Sequence, residues 1–325
     1  MYINRGFDLS TSFRKFGTVS NVRRVGECAD SSAQRRSGAR VAGTTELVMW
    51  EANVRAHAFL GQLRACAAGG FTHLALTPAA LLSAVDQLGG YAAVRTAAAD
   101  HGVRLDYLDT VTGWAPLRVP RVADEALRAR FDFSMDECFE LVDQFEMTSI
   151  LAVGVFDGGA VVFDQLVECF GELARRAQSC GAHVDLEFMP FWGIPDIHTA
   201  RAIVEAAGCD NTGIMVDTWH FARGLPDFNA LTEVAESLSV SIQVADGSAR
   251  SLDPDPTYET THLRDIPAEG QLDVVGILAA ILSKQTPKSI GPEVFSDSLD
   301  RLEPEVAGAR LAEAIRKVTA EALGS

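Results

Sequence analysis

Several features that would narrow this chain's function quickly are missing from its 325 residues. There is no C-x-x-C pair. The six cysteines (Cys28, Cys66, Cys138, Cys169, Cys180, Cys209) are scattered, which argues against a disulfide scaffold or a zinc-thiolate framework. Buried thiols in a reduced, cytoplasmic protein are expected instead. No apolar run approaches the roughly 20 residues that span a bilayer, and the first residues lack the apolar middle of a signal peptide. Positive charge is scarce: 28 Lys and Arg against 44 Asp and Glu give a net charge of −16, so a nucleic-acid backbone is a poor partner. No basic cluster or backbone nest for phosphate is evident, which points to an unphosphorylated substrate. The first strand pattern is followed by MWEANVRAH, which has no Gly-rich turn. An open doubly wound sheet would want one there, and it is the weaker of the two folds weighed.

What is present is a regular alternation. Composition is 47% hydrophobic and 22% charged, ordinary for a globular chain. Short apolar runs at 47–50, 71–76, 103–108, 149–156, 183–188, 213–217, 240–246 and 289–295 read as strands. Helical patterns separate them, among them 56–68, a capping box at Ser134-Met135-Asp136-Glu137 opening a helix to Phe145, the amphipathic 163–179, and a last helix over 304–322. The strands are near-continuous apolar runs, as expected where both faces are covered. The pattern predicts an α/β fold, a single closed (β/α)8 TIM barrel over residues 44–325. Residues 1–43 stand apart as a basic, non-catalytic N-terminal extension, rich in Arg, Ser and Gly. A disordered tail, a segment reaching over the barrel or a neighbouring subunit, and an upstream start codon all fit that composition.

The chain is organised around residues 183–220, HVDLEFMPFWGIPDIHTARAIVEAAGCDNTGIMVDTWH. It reads as strand, crossover helix and parallel strand. Glu187 ends the first strand; Asp217 and His220 end the second. One such carboxylate would be a helix N-cap more often than not, but two on consecutive strands suggest a shared site at the catalytic rim of a barrel. Gln243 and Asp246 on the seventh strand and Glu293 on the eighth extend the set. The carboxylates of Glu187, Asp217 and Glu293, the Gln243 amide oxygen and the His220 imidazole suit a hard or borderline divalent ion: Mn2+ or Mg2+ first, Co2+ or Zn2+ next. Without an ion the carboxylates would repel one another and raise each other's pKa values. Pairing of Glu293 or Gln243 with a Lys or Arg is the weaker reading, because no basic residue lies on the neighbouring strands.

The runs LEFMPF, VDTWHFARG, IQVADG, HLRDIPAEGQLD and PEVFS resemble the sugar phosphate isomerase/epimerase superfamily of xylose isomerase-like barrels, over about residues 45–322. The resemblance implies metal ligation by Glu187, Asp217, Gln243 and Glu293, and a substrate contact near the metal from His220. It implies substrate binding by Arg264, with His262 two residues earlier. Pro267-Ala268-Glu269-Gly270 departs from the family's P-G-E-G turn. The implied chemistry is proton removal beside a carbonyl of a sugar, keto-inositol or polyol, giving isomerisation or epimerisation through an enediolate. Glu187, Glu293 and His220 are the catalytic set. Elimination by a dehydratase or a C-glycoside-cleaving lyase is the alternative on the same scaffold. A nuclease would want histidines on strands two and three, where LALTP and DYLDT stand, and a silent binding subunit is disfavoured by the intact ligand set. Trp114 and Trp192, in loops on the catalytic side, are candidates for ring stacking. Trp50, Glu51 and Asn53 end strand one, Trp50 as pocket wall or core. Barrels of this kind often pair, so a homo-oligomer fits.

Overall fold

Eight short apolar runs become eight parallel strands in the computed structural model, which describes residues 45–117 and 125–324. They are β1 (Glu46–Trp50), β2 (His73–Leu76), β3 (Arg104–Val111), β4 (Ser149–Val153), β5 (His183–Glu187), β6 (Thr212–Asp217), β7 (Ser239–Val244) and β8 (Ser289–Pro292). Each pairs with the next, and β8 returns to β1 through Glu46↔Ser289 and Leu47↔Ile290, closing a barrel. The expected extension over 1–43 lies outside the described residues.

The two-faced burial of the strands gives two apolar layers. Val48, Trp50, Ala75, Tyr107, Leu151, Val153 and Met215 fill the barrel interior. Alternate strand residues such as Met49, Leu74, Leu108, Leu186 and Ile242 pack outward against the helices. Trp50 is therefore core, edge-on to Tyr107 at 6.4 Å between ring centres. Closure at β1 and β8 is tight. A Cβ on Gly291 would lie 1.7 Å from the Val48 carbonyl oxygen, so only glycine fits there. Asn53 clamps the same seam: its amide donates to the carbonyls of Trp50 (2.9 Å) and Pro292 (2.7 Å), and its oxygen accepts from Val294 N–H (2.8 Å). That clamp fixes the backbone on both sides of Glu293.

The capping box at Ser134 and Glu137 forms as expected. Three short helices differ from the sequence reading, which left 125–131, 218–223 and 256–262 in loops or strand ends. The last two are each opened by an aspartate cap, Asp217 accepting from His220 N–H and Asp255 from Thr257 N–H. Cys66 and Cys138 are buried, Cys169 and Cys209 partly so, and Cys180 is exposed; all five are free thiols. No described helix is long and apolar enough to cross a membrane.

Candidate metal centre

Parallel pairing brings the strand tips to one level. Glu187 pairs with Met215, Asp217 with Gln243, and Gln243 with Gly291, two residues before Glu293. Glu293 N–H bonds to the Val244 carbonyl (3.1 Å), which holds the residue just past the end of β8. Glu187, Asp217, His220, Gln243 and Glu293 are all at most 5% exposed. Gln243 Nε2 donates to Glu293 Oε1 at 2.9 Å, and His220 Nε2 lies 3.6 Å from Glu187 Oε1. Ligand atoms of Glu187, Asp217 and His220 lie within 4.8 Å of one another. Asp217 serves twice: Oδ1 caps the helix that carries His220 (2.8 Å to His220 N–H), while Oδ2 faces the cluster. The plain cap reading of this residue thus holds for one oxygen only.

The expectation that no cation pairs with Glu293 is corrected. Arg264, fully buried, reaches the cluster from a loop rather than from a strand. Its Nη1 donates to Asp217 Oδ2 (2.6 Å) and lies 3.4 Å from Glu293 Oε2; its Nη2 lies 3.2 Å from His220 Nε2. Guanidinium nitrogen only donates, so His220 Nε2 accepts and the imidazole proton sits on Nδ1, which has no partner among the described residues. Burial, reinforced by the Arg264 charge and offset in part by Asp217, pulls His220 down to about 3, so it is neutral at ordinary pH. Burial pushes Asp217 up, but Arg264, His220 and the His220 N–H bring it below its ordinary value.

The loop that delivers Arg264 is built from local rules. Arg264 ends its reach by donating from Nε and Nη2 to the Thr260 carbonyl and hydroxyl, both at 2.8 Å, one turn back in helix 256–262. Arg264 N–H bonds to the Phe295 carbonyl (3.0 Å), and Asp265 exchanges two backbone bonds of 2.9 Å with Asp246. The Asp246 carboxylate accepts from the N–H groups of Gly247, Ala268 and Leu272. Asp246 is thus the anchor of the turn, not a ligand. Ala268 takes φ +68°, the left-handed conformation that glycine adopts freely, so the departure from P-G-E-G keeps the turn and carries strain. Ala268→Gly is expected to stabilise the protein by about 1 kcal/mol, less the entropy glycine gains in the unfolded chain. A urea midpoint that does not rise would show that the turn has relaxed around alanine.

Electrostatically the cluster is overloaded with acid. Burial first, then the charges of Asp217 and Asp109, hold the Glu187 carboxyl well above its usual range; Arg264 pulls the other way. Burial and the Glu187 charge do the same to Glu293. Gln243 Oε1, buried, has no hydrogen-bond partner among the described residues. A buried orphan acceptor is costly, and a divalent ion would satisfy it while offsetting the repulsion between carboxylates. Glu187, Asp217, Gln243 and Glu293 fit such an ion by residue type and position, with His220 also within range.

Above the cluster opens a cavity whose wall carries both charged and apolar side chains. Glu187, His220, Arg264, Glu293 and Trp192 line it, the last as expected. Trp114 does not. It is 3% exposed, donates from Nε1 to the Val153 carbonyl (3.0 Å) and packs edge-on against Phe170, so its role is core packing. His262 also misses the cavity. It stacks on Tyr258 and lines an adjoining groove with Arg55 and Arg130. The sequence reading missed Asp109, Arg130, Thr260 and Phe295, all on the cavity wall. Asp109 had a signal, a polar residue near the end of β3. Arg130 and Thr260 lie on the short helices 125–131 and 256–262 and Phe295 just past β8, where no strand period announces them.

A family model described as xylose isomerase-like TIM barrel matches residues 63–318. No curated protein matches the chain in sequence. Among solved structures, the IOLI protein with a binding zinc atom has TM-score 0.68 at 17% identity, covering 85% of this chain and 99% of that one. A xylose isomerase domain protein from Alicyclobacillus acidocaldarius has TM-score 0.64 at 18% identity, covering 86% and 100%. D-psicose 3-epimerase from Clostridium cellulolyticum H10, solved with D-tagatose, has TM-score 0.61 at 16% identity, covering 85% and 99%.

Proposed function

The chain belongs to the xylose isomerase-like TIM-barrel family, and from that membership we propose that it is a divalent-metal-dependent enzyme that removes a proton beside the carbonyl of a small sugar, keto-inositol or related polyol. Isomerisation and epimerisation share this first step. The observation that carries the reading is the convergence of Glu187, Asp217, Gln243 and Glu293 at one rim, with the Gln243 oxygen buried and unpaired beside them. A divalent ion held by these four, Mn2+ or Mg2+ before Co2+ or Zn2+, would supply electrostatic stabilisation of the enediolate charge.

The protein's own groups do the rest. Glu187 and Glu293, both held above the ordinary carboxylate range, exchange a proton with substrate carbon as base and acid. Neutral His220 and cationic Arg264 line the cavity and hold substrate oxygens as they gain charge. Trp192 gives the cavity an apolar side for a ring face. The observation favouring elimination as a second reading is Asp109, taken up below.

The test is metal analysis of the purified protein, then incubation in D2O with a panel of ketoses, keto-inositols, oxidised C-glycosides and dehydroshikimate. Uptake of deuterium beside the carbonyl, lost on chelation and restored by Mn2+ or Mg2+, is the expected result. Protein that retains no divalent ion and exchanges no hydrogen with any of them would refute the reading.

A further inference from the structure

Three carboxylates suffice to hold an ion and to serve two faces of a carbon, yet a fourth carboxyl group, on a strand outside the β5–β8 arc, faces the same cavity. Asp109 lies on β3, two strands away from β5 around the barrel, and is 5% exposed. It lines the cavity with Glu187, His220, Arg264 and Glu293. Its hydrogen bond within the described residues comes from the Thr110 hydroxyl next to it. Arg130, whose charge acts on Asp109, is paired with Glu51 (3.2 Å), whose Oε2 also accepts from Thr77 (2.9 Å). Arg130 Nε, buried, has no hydrogen-bond partner among the described residues. Among the described residues Asp109 thus has no ion pair that would keep it permanently ionised. Burial pushes it up to about 6, against the Thr110 bond and Arg130 and with the Glu51 charge; the charges of Glu187 and Glu293 also face it.

Resting on the proton-abstraction reading above, we propose that Asp109 is the general acid that protonates a departing β-hydroxyl, so that the enzyme is a dehydratase acting on a β-hydroxy carbonyl compound. Isomerisation and epimerisation move protons between carbons or oxygens already adjacent to the carbonyl, and Glu187 and Glu293 suffice for them. Expelling hydroxide is different, since it is a poor leaving group until it is protonated. The step balances without any oxidant. Glu187 takes the proton from the carbon beside the carbonyl. The electron pair forms the carbon–carbon double bond as the β carbon–oxygen bond breaks. The Asp109 carboxyl gives its proton to the leaving oxygen, and water departs. Net proton return from Glu187 to Asp109 through solvent resets the site. Asp109 is suited to the oxygen end because it lies outside the β5–β8 arc that surrounds the reacting carbon.

The experiment compares wild type with Asp109→Asn, an isosteric change, on the same panel with Mn2+ in D2O. Deuterium uptake is followed by NMR, and elimination by the ultraviolet absorbance of the conjugated product. Wild type is expected to do both on at least one β-hydroxy carbonyl compound. In D109N elimination should fall at least about 100-fold, the lower range of general-acid contributions, with deuterium uptake falling markedly less. Persisting uptake also reports an intact fold. Deuterium uptake by wild type without elimination on any compound, a D109N variant that eliminates normally, or equal loss of both reactions in D109N would each overturn the acid role and leave the parent reading standing. A wild type that exchanges no hydrogen defeats both.

Discussion

Glu187→Gln and Glu293→Gln are each expected to lower turnover by about 1000-fold, the middle of the range for a lost general acid or base. Both side chains are buried beside Asp217 and beside each other, so each is held protonated more readily than a free glutamate. That is the state a group needs if it is to give up and take back a proton near neutrality. Glutamine keeps shape and hydrogen-bonding reach and removes only the proton transfer and the charge. The same substitution relieves repulsion in the chelated protein. A carboxylate whose folded pKa lies above its unfolded value weakens the fold as pH rises from the unfolded value through the folded one. Each variant is therefore expected to melt no lower than wild type at pH 8 in EDTA, while losing activity and binding metal more weakly. Stability and function would then move in opposite directions, as at other strained sites. Assays for turnover and thermal melts on the same samples check both halves; a variant that keeps activity removes that glutamate from acid–base work.

The barrel was legible because its strands are buried on both faces. Val48, Trp50 and Met215 face inward and Met49, Leu74 and Ile242 outward, which leaves no polar alternation to confuse the pattern. The proposed ligands stood out for a related reason: Glu187, Asp217, Gln243 and Glu293 interrupt or end apolar runs, where a polar side chain is either a helix cap or part of a site. The pairing of Arg264 with the carboxylates was not legible. The arginine follows β7 by some 20 residues, and no periodicity tells where a loop returns. What brings it home is backbone pairing of Asp265 with Asp246 and of Arg264 with Phe295, contacts between segments distant in sequence. Trp114 failed in the opposite sense. A tryptophan among prolines and glycines reads as exposed, yet its indole N–H finds the Val153 carbonyl and its ring finds Phe170. Asp109 was hidden by boundary error, since β3 runs on to Val111 and carries the carboxyl into the rim.

The cation from the loop sets the second large effect. Arg264→Met is expected to destabilise the metal-free protein by about 3–5 kcal/mol, the cost of leaving a buried partner charge uncompensated. Asp217 is the residue left behind: fully buried, it owes its lowered pKa to Arg264 ahead of His220. Packing contributes little to the loss, because the guanidinium stem lies between Trp219 and Phe295, centred 5.1 and 5.3 Å from their rings, and methionine fills the same slot. If the same carboxylates hold a divalent ion, Mn2+ offsets their charge in place of the arginine. At 100 times its Kd, an ion bound only to the folded state stabilises by about 2.7 kcal/mol; wild type gains as well, so the deficit shrinks by as much as the variant, freed of the arginine's charge, binds the ion more tightly. Urea unfolding in EDTA and in Mn2+ separates the outcomes. Equal deficits in both conditions would mean that Arg264 and an ion do not compete for the charge of these carboxylates. A deficit that shrinks with metal ties the loop, the strand tips and the cation to one electrostatic balance, in which Arg264 steadies the acids that do the chemistry.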